Sequence, residues 1–291
     1  EVSKPGYTFL GWFYGGAYYD ASSTFTLPAS DVQFTAEWEI DDFTASISGY
    51  SGPVVYGEEV VLQAEAVHGL NNFTYKWYKD GDLLVGAEEA TLVLTDVVQS
   101  GYYTVVVTVS DGSKSKSASA GVEVEINKAK YDISGVSFQD LTVPYDGTPK
   151  TLEVKGELPE GVTVSYQINV VSGALTDGQA LNAGSYWFVA HFSGDFANYE
   201  TIPVMSATLT ITQVDPVVSV WPEATRIFVG QNLGASALIN GVVDVEGAFV
   251  WEAPATMPSV GLRTYTVRFV PEDLTNYREL SANVDVEVVQ L

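Results

Sequence analysis

Histidine and cysteine, which often bind metals or act as nucleophiles, are nearly absent from this sequence. The 291 residues include no cysteine and two histidines, His68 and His191. Without thiols the chain cannot form a disulfide, a zinc–thiolate site or a cysteine nucleophile. The two histidines lie far apart in the sequence and have no third nitrogen ligand, so we do not predict a histidine metal site.

Carboxylates are the abundant reactive groups, with 37 Asp and Glu residues. Glycoside hydrolysis needs two of them held across a cleft, and small β-sandwiches seldom offer one. No Gly-x-Ser-x-Gly elbow, P-loop or Gly-x-Gly-x-x-Gly motif is present. The sequence therefore predicts a protein that is not an enzyme and has no cofactor.

Calcium is the alternative that the acidic turns leave open. Oxygen-rich clusters occur at Asp80-Gly-Asp82, Asp41-Asp42 and Asp111-Gly112. Ca²⁺ takes about six to eight oxygen ligands, and the spacing of an EF-hand is absent. We therefore interpret these residues as solvated turn acids and predict no metal site.

Aromatic side chains could form a platform for sugars, because their flat apolar faces can stack on other rings. The chain has 6 Trp, 17 Tyr and 13 Phe, most of them at alternating positions that predict a core. Four rings are less well explained by core packing. They could wedge between modules, and they are weak candidates for binding a host glycan or matrix protein: Trp187, Trp221, Tyr18 and Tyr19.

The charge of the chain argues against two classes of partner. With 13 basic and 37 acidic residues, the formal net charge is −24. Such a field repels nucleic acids and anionic membranes. No apolar run reaches the roughly 18 residues that a membrane helix needs. We predict a monomer with no nucleic-acid partner and no membrane insertion.

A repeated stretch indicates how the chain is organised. Residues 188–199 alternate as a strand, turn at Ser-Gly-Asp and end on Asn198-Tyr199. Residues 265–277 also alternate as a strand, turn at Pro-Glu-Asp and end on Asn276-Tyr277. The spacing of about one small β-domain predicts an array of modules. We predict an all-β chain divided into residues 1–40, 41–126, 127–213 and 214–291.

The predicted joins between modules are short. The segments 126–130 and 211–216 lack glycine, whereas flexible linkers are rich in Gly and Ser. We therefore expect an extended rod, with a radius of gyration roughly double the ~19 Å of a compact chain of this length.

Residues 1–40 suggest two short strands around Gly-rich turns. They include a spaced set of eight residues, Pro5, Gly6, Tyr7, Phe9, Gly11, Trp12, Ala36 and Trp38. Through these positions the stretch resembles the Listeria–Bacteroides repeat of internalin B. The resemblance implies a partial β-grasp-like unit. The first strand of that unit should precede Lys4, so we expect the sequence to be a fragment.

The next module, residues 41–126, resembles an immunoglobulin-like β-sandwich. Trp77 matches the buried tryptophan of strand C, and Tyr103 matches the tyrosine corner. The resemblance places Ala64 and Val105 where antibody domains have their cysteines. We expect Trp77 and Tyr103 to be core residues.

Two further modules also resemble bacterial repeats. Residues 127–213 resemble the MBG-type repeat through Tyr145-Asp-Gly147, Leu158-Pro-Glu-Gly-Val162 and Ala183-Gly-Ser-Tyr186. Residues 214–291 resemble a second bacterial immunoglobulin-like type. An opening of the Tyr-Gly kind recurs at Tyr56-Gly57, Tyr145-Asp-Gly147 and Val229-Gly230.

These resemblances imply a non-catalytic stalk or spacer of a bacterial cell-surface, adhesin-like protein, located outside the cell. Two alternatives stay open: a module that binds a glycan or matrix protein, and accessory domains of a secreted carbohydrate-active enzyme. Bacterial domains of this kind sometimes carry a Lys–Asn or Lys–Asp isopeptide, for which the candidate lysines are Lys76, Lys128, Lys130 and Lys155.

Overall fold

A computed structural model describes residues 2–175 and 178–290. Over these residues the regular structure is β-strand, apart from two single-turn 3₁₀ helices, Val97–Gln99 and Leu233–Ala235. The chain divides into two units: Glu1–Tyr131 with Gly194–Thr201, and Asp132–Ser193 with Ile202–Leu291. The described residues contain no helix long and apolar enough to cross a membrane.

The first unit begins with a small antiparallel sheet. Its strands are β1 (Tyr7–Tyr14), β2 (Ala17–Tyr19) and β3 (Thr35–Ile40), in the order β2-β1-β3. Gly15 and Gly16 both have positive φ, which the two-residue hairpin turn between β1 and β2 requires. The sequence suggested two strands here, and the structure adds the three-residue strand β2.

A two-layer sandwich follows in the same unit. Its strands are β4 (Ala45–Ser48), β5 (Val54–Val55), β6 (Val60–Ala66), β7 (Phe73–Lys79), β8 (Asp82–Leu83), β9 (Thr91–Leu94), β10 (Gly101–Ser110), β11 (Ser115–Val124) and β12 (Ile126–Asn127). One sheet has the order β4-β6-β9 and the other β11-β10-β7-β8, while β5 pairs in parallel with β12. These sheets correspond to strands ABE and GFCC′ of an immunoglobulin-like sandwich.

The core of this sandwich contains the two residues that the resemblance marked. Trp77 and Tyr103 are 0% and 1% exposed. The Tyr103 hydroxyl donates to the carbonyl of Gln99 at 2.6 Å, and Trp77 Nε1 donates to the carbonyl of Glu89 at 2.9 Å. Ala64 and Val105 are both buried in the same cluster. Apolar side chains thus fill the space that a disulfide takes in antibody domains.

The second unit begins with another sandwich, in which only one of the two layers is a regular sheet. Its strands are β13 (Leu141–Pro144), β14 (Thr163–Ser172), β15 (Gly184–Ser193) and β16 (Met205–Thr212). They form one sheet in the order β13-β16-β15-β14, in which β13 and β16 are parallel. The opposite side is covered by less regular chain that supplies Leu152 and Ala180 to a core around Tyr186 and Phe188.

The last part of the second unit repeats that plan. Its strands are β17 (Val218–Val220), β18 (Glu223–Ala224), β19 (Ile227–Phe228), β20 (Leu238–Ile239), β21 (Val242–Val243), β22 (Gly247–Trp251), β23 (Gly261–Pro271) and β24 (Leu280–Val289). The main sheet has the order β19-β24-β23-β22, and β17-β21 and β18-β20 form short pairs. Trp251, Val267 and Val286 lie in its core.

Three separate cores of the same design confirm the predicted fold class: the chain is all-β and contains tandem immunoglobulin-like β-sandwiches. In each, a short strand pairs in parallel with the last strand of the sandwich. The exact division into four modules stays a prediction.

Candidate functional site

The repeated Asn-Tyr stretches form two loops with the same internal hydrogen bonds, and we call them the clasp loops (Asp195–Tyr199 and Asp273–Tyr277). In each, the Asp carboxylate accepts from the backbone N–H and the side-chain amide of the Asn three residues later. The Tyr N–H also donates to the Asp carbonyl, at 2.9 and 3.1 Å. The Asp thereby fixes the loop and orients the Asn amide.

The first clasp loop belongs to the first unit, although it connects two strands of the second. Asn198 Oδ1 accepts from the backbone N–H of Val97 at 3.1 Å, at the start of a 3₁₀ helix. The ring of Tyr199 stacks on Tyr131, with centroids 4.1 Å apart, and meets the edge of Tyr56 at 5.3 Å. The Asn198 amide and the Tyr199 ring thus both hold this loop to the rest of the first unit.

The second clasp loop makes matching contacts within the second unit. Asn276 Oδ1 accepts from the backbone N–H of Ala183 at 2.7 Å, and its amide nitrogen donates to Asn182 Oδ1 and Asp273 Oδ2. Asn276 is 3% exposed, so these bonds lie out of water. The ring of Tyr277 meets Tyr145 at 5.7 Å and an interplanar angle of 83°. As in the first clasp, an Asn amide and a Tyr ring hold the loop in place.

Backbone pairing completes both clasps in the same register. In the first, Ala129 N–H donates to Asn198 O and Glu200 N–H donates to Ala129 O, at 3.0 and 2.8 Å. In the second, Val214 N–H donates to Asn276 O and Arg278 N–H donates to Val214 O, both at 3.0 Å. Each clasp thus closes a parallel bridge onto the segment that enters its module.

One clasp carboxyl and two tyrosines that the clasps contact have pKa values that follow from this geometry. The side-chain hydrogen bond from Asn198 holds the pKa of Asp195 below its ordinary value, with further help from backbone N–H groups and Lys128. Burial, and then Tyr277 and Asp273, raise the pKa of Tyr145. Burial and nearby Asp195 and Asp96 likewise raise the pKa of Tyr56. At neutral pH the Asp195 carboxyl is therefore ionised, and the hydroxyls of Tyr56 and Tyr145 are neutral.

A second feature of the first unit is an aromatic groove beside the β1–β2 hairpin. Its volume is about 360 Å³, and its lining is mainly apolar. The lining residues are Trp12, Tyr19, Asp20, Ser23, Phe25 and Phe34. Phe25 and Phe34 pack edge to face at 4.9 Å, and Tyr19 lies against both. These contacts order a segment between β2 and β3 that has no strand of its own.

One end of the groove is polar. Asp20 Oδ1 accepts from the Ser22 N–H and from the hydroxyls of Ser22 and Ser23, at 2.7 to 2.9 Å. These hydroxyls lower the pKa of Asp20 to about 2. An ionised carboxylate and a hydroxyl therefore stand beside exposed ring faces, a combination that can accept hydrogen bonds from a polar, flat ligand.

The four predicted ligand-binding rings are placed differently. Tyr19 lines the groove, and neighbouring Tyr18 is 62% exposed and packs on Phe13. Trp187 is 45% exposed on β15. Trp221 is half-buried and its ring lies 5.6 Å from Phe249. Tyr18 and Tyr19 are consecutive residues of β2 in the first unit, and both tryptophans belong to the second unit.

Sequence reasoning missed most of the groove and the role of the clasps. Phe25 and Phe34 lie outside any strand, so no alternation marked them. The recurrence of Asn-Tyr was visible, but the donors that it meets, at Val97 and Ala183, are backbone N–H groups without a sequence signature.

The acidic turns are occupied by internal contacts. Asp111 accepts from the Tyr7 hydroxyl at 2.7 Å, Asp80 accepts from the Tyr102 N–H, and Asp42 pairs with Lys116. In the described ranges no three residues of the His, Asp and Glu type form a group that could hold a metal ion. Of the candidate lysines, Lys128 donates to the Phe196 carbonyl and Lys130 pairs with Glu200.

No family model matches the chain, and a search of curated proteins found no match. Among solved structures, the first eight Ig domains of Down syndrome cell adhesion molecule are similar at 16% identity, a TM-score of 0.28, and coverage of 90% of this chain. The chain spans 43% of that structure.

Two other structures are similar at the same level. Three N-terminal domains of the bacteriophage RB49 Highly Immunogenic Outer Capsid protein match at 13% identity, over 85% of this chain and all of that one, with a TM-score of 0.27. Titin domains z1z2 in complex with telethonin match at 16% identity, over 59% of this chain and 94% of that one, with a TM-score of 0.29. At these TM-scores the fold assignment rests on the strand pairing of the chain itself.

Proposed function

We propose that this chain is a non-catalytic spacer whose consecutive β-modules are joined by the clasp loops. The observation that carries the proposal is the recurrence of one hydrogen-bonded loop, with one amide and one aromatic contact, in both units. A flexible tether would need no such contacts. A spacer that holds its ends apart needs them.

The resemblance of residues 1–40 and 127–213 to repeats of bacterial surface proteins supports a finer version of this proposal. In that version the chain is part of an adhesin-like stalk outside the cell, and it positions another region of its protein. The absence of cysteine suits modules that fold without oxidation.

The proposal predicts that the second clasp restricts motion between the two sandwiches of the second unit. Because the chain has no cysteine, two can be introduced for spin labels, at the exposed strand positions Ser165 and Ser281. We expect a narrow distance distribution that broadens in Asn276→Ala/Tyr277→Ala. A change at the exposed neighbour, Thr275→Ala, is the matched control and should leave the distribution narrow.

The result that contradicts the spacer proposal is a distribution of equal width with and without the clasp residues. Circular dichroism of both variants would show that the sandwiches are still folded. Equal widths in folded proteins would mean that the clasp contacts do not couple the modules.

The aromatic groove favours a second candidate function, the binding of a neutral carbohydrate. The net charge of −24 and the ionised Asp20 disfavour acidic sugars, whereas exposed Trp12 and the serine hydroxyls suit a neutral pyranose. We expect saturable binding on an array of neutral oligosaccharides, lost in Trp12→Ala and kept in Trp187→Ala. Loss in Trp187→Ala alone would move the site to β15, and silence of the whole array would remove this candidate.

A further inference from the structure

The far end of the last sandwich repeats the structure that receives the clasp loops elsewhere in the chain. In all three sandwiches the residue after the short parallel strand donates its N–H to the end of the last strand: Tyr56 to Asn127, Tyr145 to Thr212 and Val229 to Val289, at 2.8, 2.9 and 3.0 Å. Tyr56 and Tyr145 are the residues on which Tyr199 and Tyr277 pack. Val229 therefore occupies the receiving position.

The turn around Val229 matches the turn around Tyr56 bond for bond. In the first, Glu58 N–H donates to Val55 O, and Val55 N–H donates to the Glu58 carboxylate, at 3.0 and 3.1 Å. In the second, Gln231 N–H donates to Phe228 O at 3.0 Å, and Phe228 N–H donates to Gln231 Oε1 at 2.8 Å. Both turns contain a glycine with φ near +90°, Gly57 at 98° and Gly230 at 91°.

The second half of a receiving surface is also present. Ala183, whose N–H binds Asn276, directly precedes the glycine that begins β15, and Val260 directly precedes the glycine that begins β23. Around these positions the surface is apolar: Phe228, Val229, Met257 and Val260 are 42 to 62% exposed. We call these four residues the terminal acceptor face.

We propose that the terminal acceptor face is a docking surface for a third clasp loop, of the type Asp-x-x-Asn-Tyr, carried by a further module of the same kind. The Tyr would pack on Val229 and the Asn amide oxygen would accept from the backbone near Val260. This inference rests on the proposed role of the first two clasps. The occupant is chosen because a loop of this type is held twice in the same chain, each time with its Tyr ring against the residue after the short parallel strand and its Asn amide oxygen on a backbone N–H a few residues ahead of a strand that begins with glycine.

The spacing of the chain allows a direct test in one polypeptide. The second clasp bridges to Val214, two residues beyond Thr212, and the corresponding position beyond Val289 is residue 291. A second copy of residues 215–291 is ligated after residue 291 and labelled with ¹⁵N, so that its peptides differ in mass from those of the original chain. Amide exchange is then followed at 227–231 and 256–260 of the original chain.

We expect exchange at these amides to slow by about tenfold when the second copy is present. Asn276→Ala/Tyr277→Ala in the added copy should abolish the slowing, whereas Thr275→Ala there should not. Val229→Tyr, which restores the aromatic pair of the other two clasps, should strengthen it. Protection of the added copy's own strands shows that it is folded.

Unchanged exchange in the presence of a folded second copy would overturn the inference. The amides of Val97 and Ala183 separate this failure from failure of the spacer proposal. If Asn198→Ala and Asn276→Ala speed exchange at those two amides while 256–260 stays unaffected by the added copy, only the third docking surface is wrong.

Discussion

Tyr103 and Tyr186 show how one buried hydroxyl fixes the start of a strand. Each donates to a carbonyl four residues earlier, Gln99 at 2.6 Å and Asn182 at 2.7 Å. Each lies two residues after the glycine that begins its strand. In the last sandwich this position is Arg263, whose Nε donates to the Ser259 hydroxyl four residues earlier at 3.0 Å. A different side chain thus makes a hydrogen bond to the residue four positions earlier at the start of this strand.

Replacement of Tyr103 by Phe removes that donor and leaves the partly buried Gln99 carbonyl without it. We expect Tyr103→Phe to lower the free energy of unfolding by about 1–2 kcal/mol. Tyr102→Phe is the matched control, because Tyr102 is the preceding residue on the same strand and is 48% exposed. Urea unfolding at neutral pH measures both; equal losses would show that the Gln99 bond contributes nothing specific.

The same hydroxyl makes stability depend on alkaline pH. Burial, followed by the charge of Asp80, raises the pKa of Tyr103 to about 12, above the value of about 10 for an unfolded tyrosine. A raised folded-state pKa means that the contribution is complete below pH ~10 and is lost as pH rises towards ~12. The stability gap between the wild type and Tyr103→Phe should therefore narrow over that window. A difference in unfolding free energy that stays constant with pH would contradict the raised pKa of Tyr103.

Sequence alone went furthest where a side chain has a fixed structural meaning. Trp77 and Tyr103 could be placed because a large ring at that spacing fits a sandwich core. Trp221 could not, since its half-buried position depends on Phe249, a residue 28 positions away on another strand. Long-range partners of this kind leave no local pattern.

At the scale of elements, the N-terminal sheet is held to the first sandwich by close backbone contact. Tyr7 and Ile40 pack with Val109 in one small cluster, and the Tyr7 hydroxyl donates to Asp111. Gly69 lies so near Gly6 that a Cβ on Gly69 would stand 2.2 Å from the Gly6 nitrogen. The contact is backbone to backbone, so no side-chain rotation can relieve it.

Gly69→Ala should therefore loosen the N-terminal sheet from the sandwich, at a cost of about 1–3 kcal/mol. Gly135→Ala is the matched control, because a Cβ there meets nothing within 4 Å. Limited proteolysis should cut within residues 2–40 faster in Gly69→Ala, while the rest of the first unit stays resistant. Equal cutting of the two variants would show that the backbone gives way easily.

The clasp loops mark the limit of prediction for elements. Their strand, turn and Asn-Tyr ending were readable because they recur in the sequence. Their function in the fold was not, because Asn198 and Asn276 bind backbone N–H groups that any residue offers. The assignment of Gly194–Thr201 to the first unit likewise follows from contacts and not from chain order.

For the whole molecule, the dominant electrostatic property is self-repulsion. The formal net charge is −24, and the ion pairs of the described residues are at least partly exposed, such as Arg226–Glu287 and Arg278–Asp215. Exposed pairs contribute roughly 0–1 kcal/mol each, and salt weakens them. Repulsion among 37 acidic residues is also weakened by salt, and it opposes the folded state. Whether added salt raises or lowers the stability therefore depends on which is larger, the loss of ion-pair attraction or the loss of repulsion.

We expect repulsion to win at neutral pH, so that the unfolding midpoint rises as NaCl is increased from low ionic strength to ~0.15 M, where the screening length is about 8 Å. The control is the chain itself near pH 4, since its sequence pI is about 4.1 and little net charge remains to be screened. There the midpoint should stay constant or fall slightly as the ion pairs weaken. A fall of the midpoint with salt at pH 7 would mean that the surface pairs, and not the net charge, control the stability of this acidic chain.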